Sequence, residues 1–186
     1  MRFYLYIYRT KLIIKKETQM KNFNDLDRFD QMEELCKEAI SQMLPTTNLR
    51  FSSKYAPFDA YIVEKDRVLL IEMKVRYATY PDYLLEAKKL NGLLAARKKI
   101  NKDTGKEVFL FYLNFTPTGT YIWDLDKAVS GLKESTVSAS RYTAKLSNTE
   151  LKRCYYLPTN KADKKYKYIF NKDEILKSIL NKEENI

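Results

Sequence analysis

The chain has 186 residues, a length that suits one domain. Its 34 Lys and Arg outnumber 24 Asp and Glu for a formal net charge of +10, which points to an anionic partner: nucleic acid first, an anionic membrane surface second, with a lysine-rich solvated surface as the plain alternative. It has no histidine and only two cysteines, which excludes Cys/His zinc fingers, Ser-His-Asp and Cys-His nucleophile systems, nucleases with a histidine base, and a disulfide framework.

Residues 1–20 read as an N-terminal extension. Arg9 and Lys11 break its apolar part and no small-residue cleavage site follows, so an extended strand is expected there rather than a signal peptide. Tyr4, Tyr6 and Tyr8 alternate against Phe3, Leu5 and Ile7, as in a strand. Met20 precedes a good helix-start sequence and is an alternative natural start. Asn22, Asn24 and Asp25 lead into a helix reaching Leu44. Its stripe is Met32, Leu35, Cys36, Ala39, Ile40 and Met43, and Pro45 ends it. Cys36 on that stripe reads as core. Asn48 to Tyr55 suits a first strand, Ala56-Pro57 a break, and Phe58 to Val63 a second strand. The polar turn Glu64-Lys65-Asp66-Arg67 makes a hairpin with a third strand, Val68 to Val75.

Pro81 and Asp82 open a second expected helix, with Leu84, Leu85, Leu90, Leu93, Leu94 and Ile100 as apolar positions and Asp103-Thr104-Gly105 as its end. Strands Val108 to Phe115 and Thr120 to Leu125 follow, with Trp123 in the core. Beyond Asp126, strands are expected at Thr136 to Ala144, at Arg153 to Leu157 and around Lys165 to Phe170, with a closing helix from Lys172 to Leu180. No apolar run approaches the ~20 residues of a membrane span, and two cysteines suit a reducing cytosol. The expected fold class is α/β, a mixed central β-sheet flanked by helices in α-β-β-β-α-β-β order. Residues 21–126 form its core, and 127–186 a basic α/β elaboration packed on the same domain.

The third strand carries the chemistry. Alternation puts Glu72 and Lys74 on one face and Met73 on the other. Charged groups leaving an apolar strand are costly unless paired or bound to an ion. Asp59 lies on the neighbouring strand. Two carboxylates and a lysine converging there suit a divalent metal and an activated water. The plain alternatives are a strand-end acid for Asp59 and a same-face ion pair for Glu72 and Lys74.

This order and these residues resemble the PD-(D/E)XK nuclease superfamily, the restriction endonuclease-like group that includes phage exonucleases and archaeal Holliday-junction resolvases. Pro57-Phe58-Asp59 stands for the PD part, with Phe58 inserted, and Glu72-Met73-Lys74 matches Glu-X-Lys. RVLLIEMKVR looks especially like the resolvase version. MEELCKEAI looks like the family's first helix, which often supplies another acidic ligand. The resemblance spans Asp30 to Leu125, and the C-terminal third has no counterpart in it.

The resemblance implies catalytic Asp59, Glu72 and Lys74. Mg²⁺, with Mn²⁺ as a substitute, would be held by Asp59, Glu72 and a helix-one acid. Among Glu33, Glu34 and Glu38, Glu33 is preferred, about 90° from the stripe centre at 100° per residue; a solvated helix acid is the alternative for each. Lys74 would position the water or stabilise charge on the phosphate, and if buried its pKa would fall toward general-base range. Lys89-Leu90 falls where many relatives carry Gln-Leu. Lys89 would then contact the scissile phosphate, with Arg97 and Lys98 further along the nucleic-acid path; a basic solvated face is the alternative. Lys161, Lys164, Lys165 and Lys167 interleave with Tyr166 and Tyr168, as either a stacking patch or the basic outer face of a strand.

The expected function is a Mg²⁺-dependent endo- or exodeoxyribonuclease hydrolysing phosphodiester bonds. Its partner is nucleic acid, most naturally DNA, with no membrane, and homodimerisation is left open. The alternatives are a catalytically inactive nucleic-acid-binding protein on the same fold, a toxin or host-modifying hydrolase, and a virion-associated protein. Abundant Lys, Asn, Ile and Tyr suggest an AT-rich genome and a phage or mobile element, hence a host cytoplasm.

Overall fold

The computed structural model describes residues 28–44, 46–53, 55–76, 78–142, 145–166 and 174–175. Helix α1 is Arg28–Met43. Its buried Leu35, Cys36, Ala39 and Ile40 recur on one face, the spacing that turns an amphipathic segment toward a core. The expected start at Asn22 lies outside the described residues, as does the N-terminal strand.

Strands β1 (Leu49–Phe51), β2 (Ala60–Val63) and β3 (Arg67–Val75) form an antiparallel meander. The polar turn closes as expected, the Glu64 N–H donating to the Arg67 carbonyl at 2.9 Å. The first two strands are shorter than their sequence suggests. Ser52 ends the first by turning inward: its N–H donates to the Asp59 carbonyl at 3.0 Å, and its hydroxyl donates to the carbonyl of Phe58. Asp59 therefore sits on the last residue before β2.

β3 runs parallel to β5 (Glu107–Thr116), which pairs antiparallel with β6 (Gly119–Asp124). Parallel neighbours need a long crossover, and here it carries strand β4 (Asp82–Glu86) and helix α2 (Ala87–Thr104). Residues 82–86 were expected to be helical, and the structure corrects this. Tyr83 and Leu85 are buried and their neighbours are not, a period of two rather than 3.6. The strand pairs from Asp82↔Pro158 to Glu86↔Cys154. Gly105 ends α2 as expected, at φ 69°, with its N–H donating to the Asn101 carbonyl at 2.8 Å.

Helix α3 (Leu125–Ala128), strands β7 (Ser135–Tyr142) and β8 (Lys145–Pro158), a 3₁₀ turn (Thr159–Lys161) and β9 (Lys164–Tyr166) complete the described chain. Among the described residues there is a six-stranded sheet, β1-β2-β3-β5-β6-β9, and a three-stranded sheet, β4-β8-β7. The architecture is mixed α/β with a central mixed sheet flanked by helices. Of the expected closing helix, only residues 174–175 are described, and they are helical. No helix among the described residues is long and apolar enough to cross a membrane.

The alternation of β3 divides the core. Ile71, Met73 and Val75 pack with Leu113, Phe115 and the buried face of α1. Leu70 goes the other way, to Leu110, Tyr112, Trp123, Tyr83 and Leu85 of β4, and Leu90 and Leu93 of α2. Trp123 and Cys36 are both buried, as expected. Glu72 and Lys74 alternate with Met73, so they leave the sheet on the α2 side.

Candidate active site

Glu72 has no exposed surface, although its side chain is an acid. Its Oε1 lies 3.0 Å from Lys74 Nζ and its Oε2 3.1 Å from Lys89 Nζ. The first contact is an ion pair without hydrogen-bond geometry, so Oε1 is buried with no hydrogen bond among the described residues. Both lysine side chains are more than a third exposed. They form a cationic rim over a buried acid, and pairing is what makes such an acid tolerable.

Asp59 reaches the same place from the start of β2. Its N–H donates to the Ile71 carbonyl at 2.9 Å, and its Oδ2 accepts the Met73 N–H at 2.6 Å. The acid is thus tied to the backbone between Glu72 and Lys74. Burial, and next the neighbouring Glu72 carboxylate, push the Asp59 carboxyl up to about 6, against the pull of Lys74, the Met73 N–H and Lys89. For Lys74, burial pulls its pKa down, but Glu72 and Asp59, and then Tyr112, outweigh burial and hold it above the ordinary lysine range. The direction is opposite to the fall expected of a buried lysine, and in the metal-free protein it favours an ammonium fit for electrostatic work.

The structure therefore brings Asp59, Glu72, Lys74 and Lys89 together. It does not bring Glu33 to them. Lys37 Nζ takes Glu33 at 2.9 Å and Glu34 at 2.7 Å, and Glu38 accepts from Gln42 at 3.0 Å. Among the described residues no group of three or more acids or cysteines is placed to hold a metal. On α1, Cys36 lies within electrostatic reach of the site, and burial pushes its thiol up to about 12. The reason is topological: α1 covers the Met73 face of the sheet, and Glu72 lies on the other. Arg97 is held by Asp126 of α3 at 2.5 Å. Lys98 is exposed on α2.

Four further residues frame the site. Arg76 follows Glu72 and Lys74 on the same face, a signal that alternation alone carries. Its Nε donates to Asn114 Oδ1 at 2.9 Å and its Nη2 to the Tyr112 hydroxyl at 3.2 Å, and its guanidinium lies 5.8 Å from the Tyr83 ring centre. Asn114 and Tyr112 are the β5 partners of Lys74 and Glu72.

The fourth is Gly92. A Cβ built on it would stand 2.9 Å from the Pro57 Cβ, so α2 and the loop leading to Asp59 approach closely only because this position is glycine. In a helix interior Ala is favoured over Gly by about 1 kcal/mol. Gly92→Ala is accordingly expected to hold the thermal midpoint near wild type while displacing Pro57. Metal affinity at Asp59 should fall about tenfold, in line with the sensitivity of such sites to small misplacements. Calorimetric Mn²⁺ titration beside thermal unfolding checks both, and unchanged affinity would show that Pro57 yields without moving Asp59.

The residues fit a divalent ion. Asp59 and Glu72 offer hard oxygens, Glu72 Oε1 is buried without a hydrogen bond, and Mg²⁺ commonly binds through one or two carboxylates, its other positions going to water and phosphate.

No family model matches the chain. No curated protein matches it. Among solved structures, a Holliday junction resolvase from the archaeal hyperthermophile Archaeoglobus fulgidus is similar, at 14% identity and a TM-score of 0.39, over 69% of this chain and 93% of that one.

Proposed function

We propose that the chain is a divalent-metal-dependent nuclease that hydrolyses phosphodiester bonds in DNA. The observation that carries this reading is Glu72, a carboxylate with no exposed surface, bracketed by two ammonium groups and facing a second acid of raised pKa. A pair of acids pushed together against their own repulsion, with cations around them, suits a bound cation and an anionic substrate. Asp59 and Glu72 would hold the metal, Mg²⁺ or Mn²⁺, which when bound supplies an acidified water and neutralises phosphate charge. Lys74, kept cationic, stabilises negative charge developing on the phosphate. Lys89, on the rim at Glu72, meets an incoming phosphate oxygen. The net charge of +10 draws the polyanion in.

A second reading has one observation in its favour. Both oxygens of Glu72 already face lysines, which is also what a self-neutralised, catalytically inactive DNA-binding protein would show. A panel of labelled linear, branched and single-stranded DNA, with RNA alongside, separates the two. With Mg²⁺ or Mn²⁺ the wild type is expected to cut at least one DNA form, and Asp59→Asn to weaken Mn²⁺ binding. Binding without cutting on every form, with Mn²⁺ affinity indifferent to Asp59→Asn, would leave the inactive reading standing.

A further inference from the structure

We infer that Arg76 forms an anion subsite that takes the phosphate next to the one under attack. The identity of the anion rests on the nuclease reading above; the subsite itself rests on the surroundings of Arg76.

The guanidinium is partly buried and, among the described residues, every group that holds it is neutral. Its partners are the Asn114 side-chain oxygen, the Tyr112 hydroxyl and the Tyr83 ring. Among the described residues no carboxylate pairs with it, whereas Lys74 and Lys89 face Glu72 and Arg97 faces Asp126. Neutral partners satisfy its hydrogen bonds but leave its charge uncompensated, and a charge drawn from water in this way is costly unless an anion completes the site.

The frame is rigid. Asn114, Tyr112 and Tyr83 are all buried core residues. The Tyr112 hydroxyl spends its proton on the Leu84 carbonyl at 2.9 Å and so accepts from Arg76. The Arg76 N–H donates to the Phe115 carbonyl at 2.8 Å, continuing the β3–β5 pairing past Val75. This bracing leaves Nη1 without a hydrogen bond among the described residues, and a planar guanidinium fork matches phosphate oxygens. The bond from Arg76 Nε to Oδ1 fixes the Asn114 amide, whose Nδ2 is buried with no hydrogen bond of its own. A second donor therefore stands unspent in the same cluster. Arg76 lies two residues beyond Lys74, about 6.6 Å along the strand, comparable with the separation of successive phosphates on one nucleic-acid strand.

The alternative role is a cross-brace tying β3 to β5, which would affect stability but be blind to substrate charge. Methylphosphonate linkages separate the roles, because each removes one phosphate charge and leaves the chain connected. DNA is prepared with a single neutral linkage stepped through the positions on either side of the cut. Wild type, Arg76→Gln and Arg76→Lys are then compared on each substrate in Mg²⁺, by single-turnover cleavage and by affinity.

At one neighbouring position the wild type is expected to lose about 10- to 100-fold, the size of one charge-assisted hydrogen bond. Arg76→Gln should show that loss already on all-phosphate DNA and be insensitive to the neutral linkage there, with Arg76→Lys in between. Equal sensitivity of wild type and Arg76→Gln at every position overturns the subsite, as does a wild type that neither cuts nor binds DNA. If the wild type cuts nothing but its affinity shows the coupling, the subsite stands and only the nuclease reading falls.

Discussion

Lys74→Ala is expected to slow metal-dependent DNA cleavage by about 10²–10³-fold, the usual cost of removing one charge-stabilising group from a preorganised site, with DNA affinity nearly unchanged. Lys74 stands 3.0 Å from Glu72 Oε1, and the two nearby acids hold it protonated. In the proposed reaction it would act as a fixed positive charge beside the position a phosphate would occupy. Its worth is therefore greatest when negative charge develops in the transition state, and small in the ground state of a long polyanion held by many other cations. Lys74→Arg keeps the charge but moves it on a longer, planar head, so partial activity is expected. The substitution also removes one of two cations from a buried acid, so thermal unfolding must accompany the kinetics. Lys89 still faces Glu72 at 3.1 Å, and the variant is expected to remain folded. Single-turnover cleavage of labelled DNA is the measurement. A folded Lys74→Ala that cuts at the wild-type rate would reduce Lys74 to a structural counter-ion.

How far such a site can be read from sequence depends on how local its causes are. Val68 to Ile71 is an apolar run bounded by a polar turn, and the strand then alternates through Glu72, Met73, Lys74 and Val75. The common face of Glu72 and Lys74 follows from strand geometry alone, and the hairpin brings Asp59 alongside. Asp82 to Glu86 was not legible in the same way. DYLLEAKKL satisfies helical spacing as well as strand spacing, and what decides is pairing with Glu86↔Cys154 to Asp82↔Pro158, partners distant in the chain. The surroundings of Arg76 were not legible either, because Asn114 and Tyr112 come from the far side of the crossover. Glu33 failed for a related reason. A helical wheel places an acid relative to the buried stripe but says nothing of which face of the sheet that stripe covers, and α1 covers the face opposite Glu72.

Asp59 supplies the second large effect, and its sign follows from the raised pKa. The carboxyl sits at about 6 in the folded protein against an ordinary 3.8. At acid pH it is protonated in both states and carries no penalty. As pH rises past the ordinary value, the unfolded chain loses its proton first, so the folded state is progressively disfavoured. Above about 6 the folded carboxyl ionises too, and the cost has reached its full size, of the order of 2–3 kcal/mol at 1.36 kcal/mol per unit. The stability this group contributes is thus present at low pH and lost as pH rises through about 6. Metal-free Asp59→Asn should accordingly be more stable than wild type at pH 7.5 and lose that advantage near pH 4. The difference between the two proteins cancels the shared titrating groups that do not interact with Asp59. A divalent ion held as proposed would reverse the balance, because it would bind the ionised carboxylates in the folded protein; at one hundred times its dissociation constant it would return about 2.7 kcal/mol. Mg²⁺ or Mn²⁺ should therefore raise the denaturation midpoint of the wild type at pH 7.5 and leave Asp59→Asn nearly unmoved. Denaturant unfolding of both proteins at the two pH values, with and without metal, tests this. Parallel pH profiles, or equal metal stabilisation of the two, would remove Asp59 from the metal site and leave the buried Glu72 as an ion pair with its two lysines.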